Sequence, residues 1–326
     1  MRTLKKILVG ALLIVLLSLP LVVYAKAQAI TDWWQLRGYT PPVTVAQLAT
    51  QDAMTPYARH IFYVNRPKLT GNVTIFRQEC SENEQTIVLG CYHPDQQGID
   101  VYSVNDPRLN GVQQVTAAHE MLHAAYDRLS SHDKKYVDGL LEDYYQHDLT
   151  DQRIIDTMKA YQQTEPGQVV NEMNSVFGTE IPNLPSALET YYQKYFVNRQ
   201  IVAGYAQSYQ AQFTDLTNQI SGYDQQLASL KQQINSEEQS LSSQLSQVNA
   251  DRAKLDSQKS SGDITSYNAG VDSFNSEVDA YNNGVQKLKN DIADYNALVG
   301  TRNSIASELQ GLQSEIDTRL TTQSSK

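Results

Sequence analysis

The sequence predicts an α+β globular domain followed by a long antiparallel α-helical coiled-coil hairpin. Three observations carry this expectation. Residues 61–104 hold short runs rich in Val, Ile, Tyr and Phe, separated by Pro, Gly, Asn and Asp, which is how a small β-sheet is written. Residues 112–177 instead repeat apolar side chains every three or four positions, as helices that bury one face do. From Leu188 an alternation of three and four runs almost to the C terminus, with an interruption at SSGD, 260–263. A period near 3.5 held over many heptads marks a coiled coil.

The chain opens with MRTLKK and continues with ILVGALLIVLLSLPLVVYA (7–25), 19 residues without a charge. As a helix this run measures about 28 Å, close to the hydrocarbon thickness of a bilayer. Residues 1–25 therefore read as a signal peptide, cleaved after a small residue such as Ala25 or Ala29, or as an N-terminal membrane anchor. Either way the basic flank of Arg2, Lys5 and Lys6 stays cytoplasmic, and the remainder is extracytoplasmic, membrane-anchored or secreted. The net charge is −10 and no Lys/Arg cluster forms a basic stripe, which excludes nucleic acid as a partner.

Residues 26–43 read as a linker ending in Pro41-Pro42, with a helix starting at Thr44. HIFYVN, NVTIFRQ, TIVLGCY and GIDVYSV are the candidate strands of 61–104. Cys80 and Cys91 fall at the ends of two of them. An even cysteine count in an exported chain favours a disulfide across neighbouring strands over two free thiols. Asp106-Pro107 and Asn110-Gly111 break the chain before a helix over 112–129, whose stripe is Val115, Ala118, Leu122, Ala125 and Leu129. Further helices open at Ser131 and Thr150, and a short one spans 168–177 with Gly178 as its left-handed stop. Ser186-Ala187-Leu188-Glu189 is a capping box. The helix it opens is expected to run unbroken into the first coiled-coil arm, with Arg199 the one stripe residue out of character.

That reading gives a globular domain over 44–204, a hairpin over 205–320 and a disordered tail at 321–326. Gly262 and its neighbouring serines favour a tight reversal over the alternative, a parallel dimer kinked at 260–263. Each arm would reach about 80 Å. An unbroken register makes the stalk a rigid extension of the globular domain.

The chemistry sits in VTAAHEMLHAAYDRL (115–129). On a helix His119 and His123 lie on one face, so both imidazoles can reach a single tetrahedral Zn²⁺ at about 2.0–2.1 Å. Glu120 lies about 100° further round, out of reach of the metal but able to reach a water bound to it. A metal lowers the pKa of that water, and Glu120 is then the general base. Ala117, Ala118, Ala124 and Ala125 let other backbone approach this helix closely.

On these residues the chain resembles the zincin metallopeptidases. The resemblance implies a zinc-dependent peptidase in which an upstream strand aligns an extended peptide substrate. The metzincin pattern fails, because Tyr126 and Leu129 stand where its glycine and third histidine belong. The gluzincin pattern takes its third ligand from a later N-E-x-x-S helix, and Asn171-Glu172-Met173-Asn174-Ser175 matches it. The aspartate that follows in thermolysin-like enzymes is Val176 here, so the resemblance supports the gluzincin class and no particular family within it. It implies His119, His123 and Glu172 as metal ligands and Glu120 as the catalytic base. Glu180 is the runner-up ligand and Glu165 a weaker one; Asp127 or Glu180 would orient the histidines. Tyr191, Tyr192, Tyr195, Arg199, Tyr145 and His147 are candidate oxyanion donors, although the heptad stripe favours core packing for most of the first four.

Two functions compete. One is an extracytoplasmic zinc peptidase acting on a polypeptide or a cell-wall peptide. The other is a catalytically inert envelope coiled-coil scaffold or regulator. In both, the stalk is free to self-associate, to bind a coiled-coil partner or to shield the cleft, and its Gln/Ser/Asn-rich outer face carries few charge pairs to fix that choice.

Overall fold

The computed structural model describes residues 27–80, 87–94 and 98–319. The expected leader 1–25 and tail 321–326 lie outside the described residues. The chain divides into two compact units. One comprises the chain up to Gln210 together with the chain from Glu315 onward, and the other is Ala211–Ser314. The expected boundary at 204 thus moves to 210, and the last residues assigned to the hairpin join the first unit.

Among the described residues the first unit starts with three short helices, α1 (Ala27–Leu36), α2 (Val43–Gln51) and α3 (Pro56–Val64). Residues 26–43 are therefore not a plain linker, since α1 occupies most of them. Strand β1 (Lys68–Thr70), helix α4 (Val73–Glu79) and strands β2 (Gly90–His93) and β3 (Gly98–Tyr102) follow. The sheet has the order β1-β3-β2, with β1 parallel and β2 antiparallel to β3.

Two of the four expected strands are helices. HIFYVN lies in α3, and NVTIFRQ is α4. Local capping overrides their β-rich composition. The Thr55 side chain accepts from the Ala58 amide, and Asn72 accepts from the Thr74 and Ile75 amides, which starts a helix in each case. The buried set Ala58, Ile61 and Phe62 then follows helical spacing. Cys80 accordingly caps a helix rather than ending a strand, and its disulfide to Cys91 ties α4 to β2.

Helix α5 (Val112–Asp127) is the centre of this unit. It is buried on almost every side, as a helix surrounded by other elements must be. It packs on β2, β3, α2, α3 and, most extensively, on a later helix, α8. Helices α6 (Ser131–His147), α7 (Gln152–Thr164), α8 (Val169–Glu180) and α9 (Ser186–Tyr192) complete the layer. Asp151 caps α7, one residue later than expected. Gly178 is not a left-handed stop but an interior residue of α8. A Cβ there would stand 2.5 Å from Leu122 and 2.7 Å from the Tyr192 ring, so glycine permits the close approach of α8 to α5.

The capping-box helix does not run on. It ends at Tyr192, and α10 begins at Gln200. The intervening segment pairs instead with residues 53–55: the Thr55 amide donates to Tyr195 O, and the Val197 amide to Ala53 O. Arg199 explains its own presence on an apolar stripe. It is buried, donates to the carbonyls of Phe177, Ile181 and Pro182, and pairs with Glu189. After the hairpin, buried Thr318 donates to Val88 O, next to β2 (2.6 Å).

The second unit is the body of α10 (Gln200–Ser261) and α11 (Ile264–Ile316). Arg302 meets Asp224, Lys287 meets Glu237, Gln233 meets Asp291, and Leu241 lies against Gly284. Each pair is symmetric about residues 262–263, where Gly262 takes φ +77°, so the helices form an antiparallel hairpin as expected.

Candidate metal centre

The site is built on α5, α8 and strand β2. Helical spacing on α5 brings His119 and His123 together, with their Nε2 atoms 3.0 Å apart. The close packing at Gly178 brings α8 near enough for Glu172 to complete a triangle. Its carboxylate oxygens lie 3.5 Å from His119 Nε2 and 3.3 Å from His123 Nε2. Four ligands at about 2.05 Å on a tetrahedral ion lie about 3.3 Å from one another. The three observed separations straddle that value, so the donor set fits Zn²⁺ in both spacing and chemistry.

Without a metal these groups interact strongly. Burial opposes the charged form of His119, but the carboxylates of Glu172, Glu120 and Glu180 outweigh it and raise its pKa to about 9. Burial lowers the pKa of His123 against the pull of Glu172, and the charge on His119 adds to the lowering. Burial of Glu172 works to raise its pKa, but His123, His119 and the Tyr161 hydroxyl together hold it low.

Glu120 is buried and lines the same cleft of about 380 Å³. A Cβ on Gly90 would stand 2.7 Å from Glu120 Oε1 and 2.6 Å from Thr116 Cγ2. The missing side chain at Gly90 is what lets β2 lie against the Glu120 carboxylate. Among the described residues β2 is an outer strand of the sheet, and its Gly90, Cys91 and Tyr92 line the cleft.

The other sequence candidates separate cleanly. Glu180 lines the cleft but its carboxylate is held by Arg153 (2.6 Å) and Gln210 (2.9 Å), so it stands outside the donor triangle. Glu165 and Asp127 also line the cleft, and Asp127 lies 3.8 Å from Lys134. Tyr191, Tyr192 and Tyr195 are core residues, with the Tyr192 hydroxyl donating to Asn174 O. They do not line the cleft, and neither does Arg199. His147 is exposed and bonded to Asp143 O, and Tyr145 packs on the core edge.

Sequence reasoning missed Tyr161, Tyr209 and Gly90, all of which line the cleft. Tyr161 arrives from α7 as its only tyrosine, and nothing in the helical pattern shows that it turns toward the site. Tyr209 was legible only as a stripe residue. Among the described residues a second donor group, Cys80, Cys91 and His93, is closed by the disulfide. Comparison with family models, with curated proteins and with solved structures finds no match to this chain.

Proposed function

We propose that this protein is an extracytoplasmic zinc-dependent peptidase, held at or exported across a membrane by residues 1–25. The observation that carries the reading is the donor triangle of His119, His123 and Glu172, at 3.0–3.5 Å, with Glu120 beside it in one cleft. Zn²⁺ bound there supplies Lewis-acid chemistry, polarising a carbonyl and acidifying a water.

The chain's own residues do the rest. Glu120, one step round the helix from the ligands, takes the proton of the attacking water on its carboxylate. It then delivers that proton to the leaving amine nitrogen. Gly90 keeps this carboxylate pressed under β2. The outer strand β2, which lines the cleft, is the element that would align an extended polypeptide or cell-wall peptide, as outer strands do for peptides generally. Tyr161, whose hydroxyl bonds Glu172 at the cleft, orients that ligand carboxylate.

Glu120→Gln tests the assignment. The variant keeps shape and ligands but cannot accept the proton. Hydrolysis of an unfolded polypeptide such as casein is expected to fall about 10²–10⁴-fold, with metal content unchanged. Undiminished hydrolysis by the variant overturns the role of Glu120.

A further inference from the structure

Helix α1 is inside out. Its buried residue is Asp32, while Trp33 and Trp34 are 57% and 60% exposed and Ile30 is 42% exposed. A helix on a water-facing surface buries its apolar residues and shows its charges. This one does the reverse, and large indole rings left outward in a cluster mark a contact with something other than water.

The orientation is fixed rather than accidental. Asp32 receives Arg128 on both oxygens (2.8 and 3.0 Å), together with His60 (2.9 Å) and Gln28 (2.9 Å). Arg128 directly follows α5, so α1 is clamped to the end of the helix that carries His119 and His123. The Gln35 carbonyl accepts from Arg66 (2.8 Å), which holds the far end. The indoles of Trp33 and Trp34 meet edge to face at 5.2 Å, and the Arg37 guanidinium lies 5.4 and 5.5 Å from the two ring centres.

The chain itself points to the occupant. The uncharged run 7–25 ends at Ala25, and a single residue, Lys26, separates it from the start of α1. Tryptophan settles at the headgroup level of a bilayer, where an apolar ring with a polar N–H suits both sides of the boundary. Arg37 beside the rings supplies a cation for lipid phosphate.

We infer that Ile30, Trp33, Trp34 and Arg37 form a lipid-docking face that seats α1 along the outer surface of the membrane. The inference goes beyond the anchoring role given above to residues 1–25, and shares with it the premise of a membrane location.

The sequence contains only two tryptophans, and both are in this face. Intrinsic tryptophan fluorescence of the unmodified full chain therefore reports on it alone. The full chain is mixed with phosphatidylcholine–phosphatidylglycerol vesicles, with and without brominated acyl chains. Flotation and the mass of the recovered chain are read alongside. The expected result is a blue-shifted emission that loses at least half its intensity to brominated lipid and is shielded from iodide. A chain that floats while its tryptophans stay open to iodide and blind to bromine overturns the docking face and leaves the anchor standing. Tryptophans shielded from both quenchers would lie against protein, a second copy or a partner, which also overturns the lipid assignment. A chain that loses residues 1–25 yet floats with quenched tryptophans supports the face and removes the anchor. Failure to float overturns both.

Discussion

The α5–α8 pair and the α10–α11 pair are both helices laid against helices, yet they are held by different means. In the first, contacts are irregular and each is made once. Gly178 admits Leu122 and the Tyr192 ring, Tyr192 bonds back to Asn174 O, and Arg199 gathers loose carbonyls at the end of α8. In the second, the contacts repeat. Heptad residues face one another, and the cross-links are exposed pairs such as Arg302 with Asp224. A repeating interface specifies shape, because every layer is interchangeable with the next. An irregular one can bring three unlike donors to one point, and the candidate chemistry sits there.

The sharpest way to break this contrast is Arg199→Ala. Losing a buried guanidinium strands the Glu189 carboxylate and three carbonyls, a cost of about 3 kcal/mol. Denaturant unfolding should show the globular transition at clearly lower denaturant with hairpin helicity retained. A single unchanged transition would mean that the break between α9 and α10 needs no such pin.

Glycine substitutions carry the contrast furthest, because the same change should have opposite signs in the two pairs. Gly178→Ala forces its Cβ against a Tyr192 ring that is fully buried and hydrogen-bonded, and should cost about 2 kcal/mol. Gly222, half-buried on α10, has nothing within 4 Å of an added Cβ. Gly222→Ala should therefore stabilise the hairpin by about 0.5–1 kcal/mol. Thermal unfolding of both variants reads the signs, and equal signs would dissolve the distinction.

A smaller effect concerns pH. Asp52 is fully buried, neither of its carboxylate oxygens is hydrogen-bonded, and burial raises its pKa well above the usual 3.8. A raised carboxyl pKa means the folded state favours the protonated form. The group costs nothing below about pH 3.8 and an increasing amount as pH rises from there through the folded value. Asp52→Asn should unfold like the native protein near pH 4 and be the more stable of the two at pH 7. A constant difference across that range would contradict it.

The same contrast explains what could be read in advance. The hairpin was legible because heptads are a local signal, and Gly262 marked the reversal. His119, Glu120 and His123 were legible because the chemistry demands i and i+4 on one face. Glu172 was reachable only through the resemblance in Asn171–Ser175, since nothing local says that α8 packs there. The runs at 60–65 and 72–78 were misread as strands because Thr55 and Asn72, two short capping side chains, outweighed a run of β-favouring residues. The stop after Tyr192 was hidden because the heptad register survives it; what breaks the helix is pairing with residues 53–55, far away in sequence. Gly90 carried no signal, and Gly178 signalled a helix stop that is not there, because the importance of both is a missing atom.

The chemistry proposed for the cleft requires the metal. Elemental analysis of the full chain, purified without added metal or chelator, tests it most directly. The prediction is one zinc per chain, lost in both His123→Ala and Glu172→Ala and kept in Glu120→Gln. Zinc kept in Glu172→Ala would move the third ligand to Glu180. No zinc in the native chain even after reconstitution would contradict the central claim and leave a coiled-coil scaffold in its place.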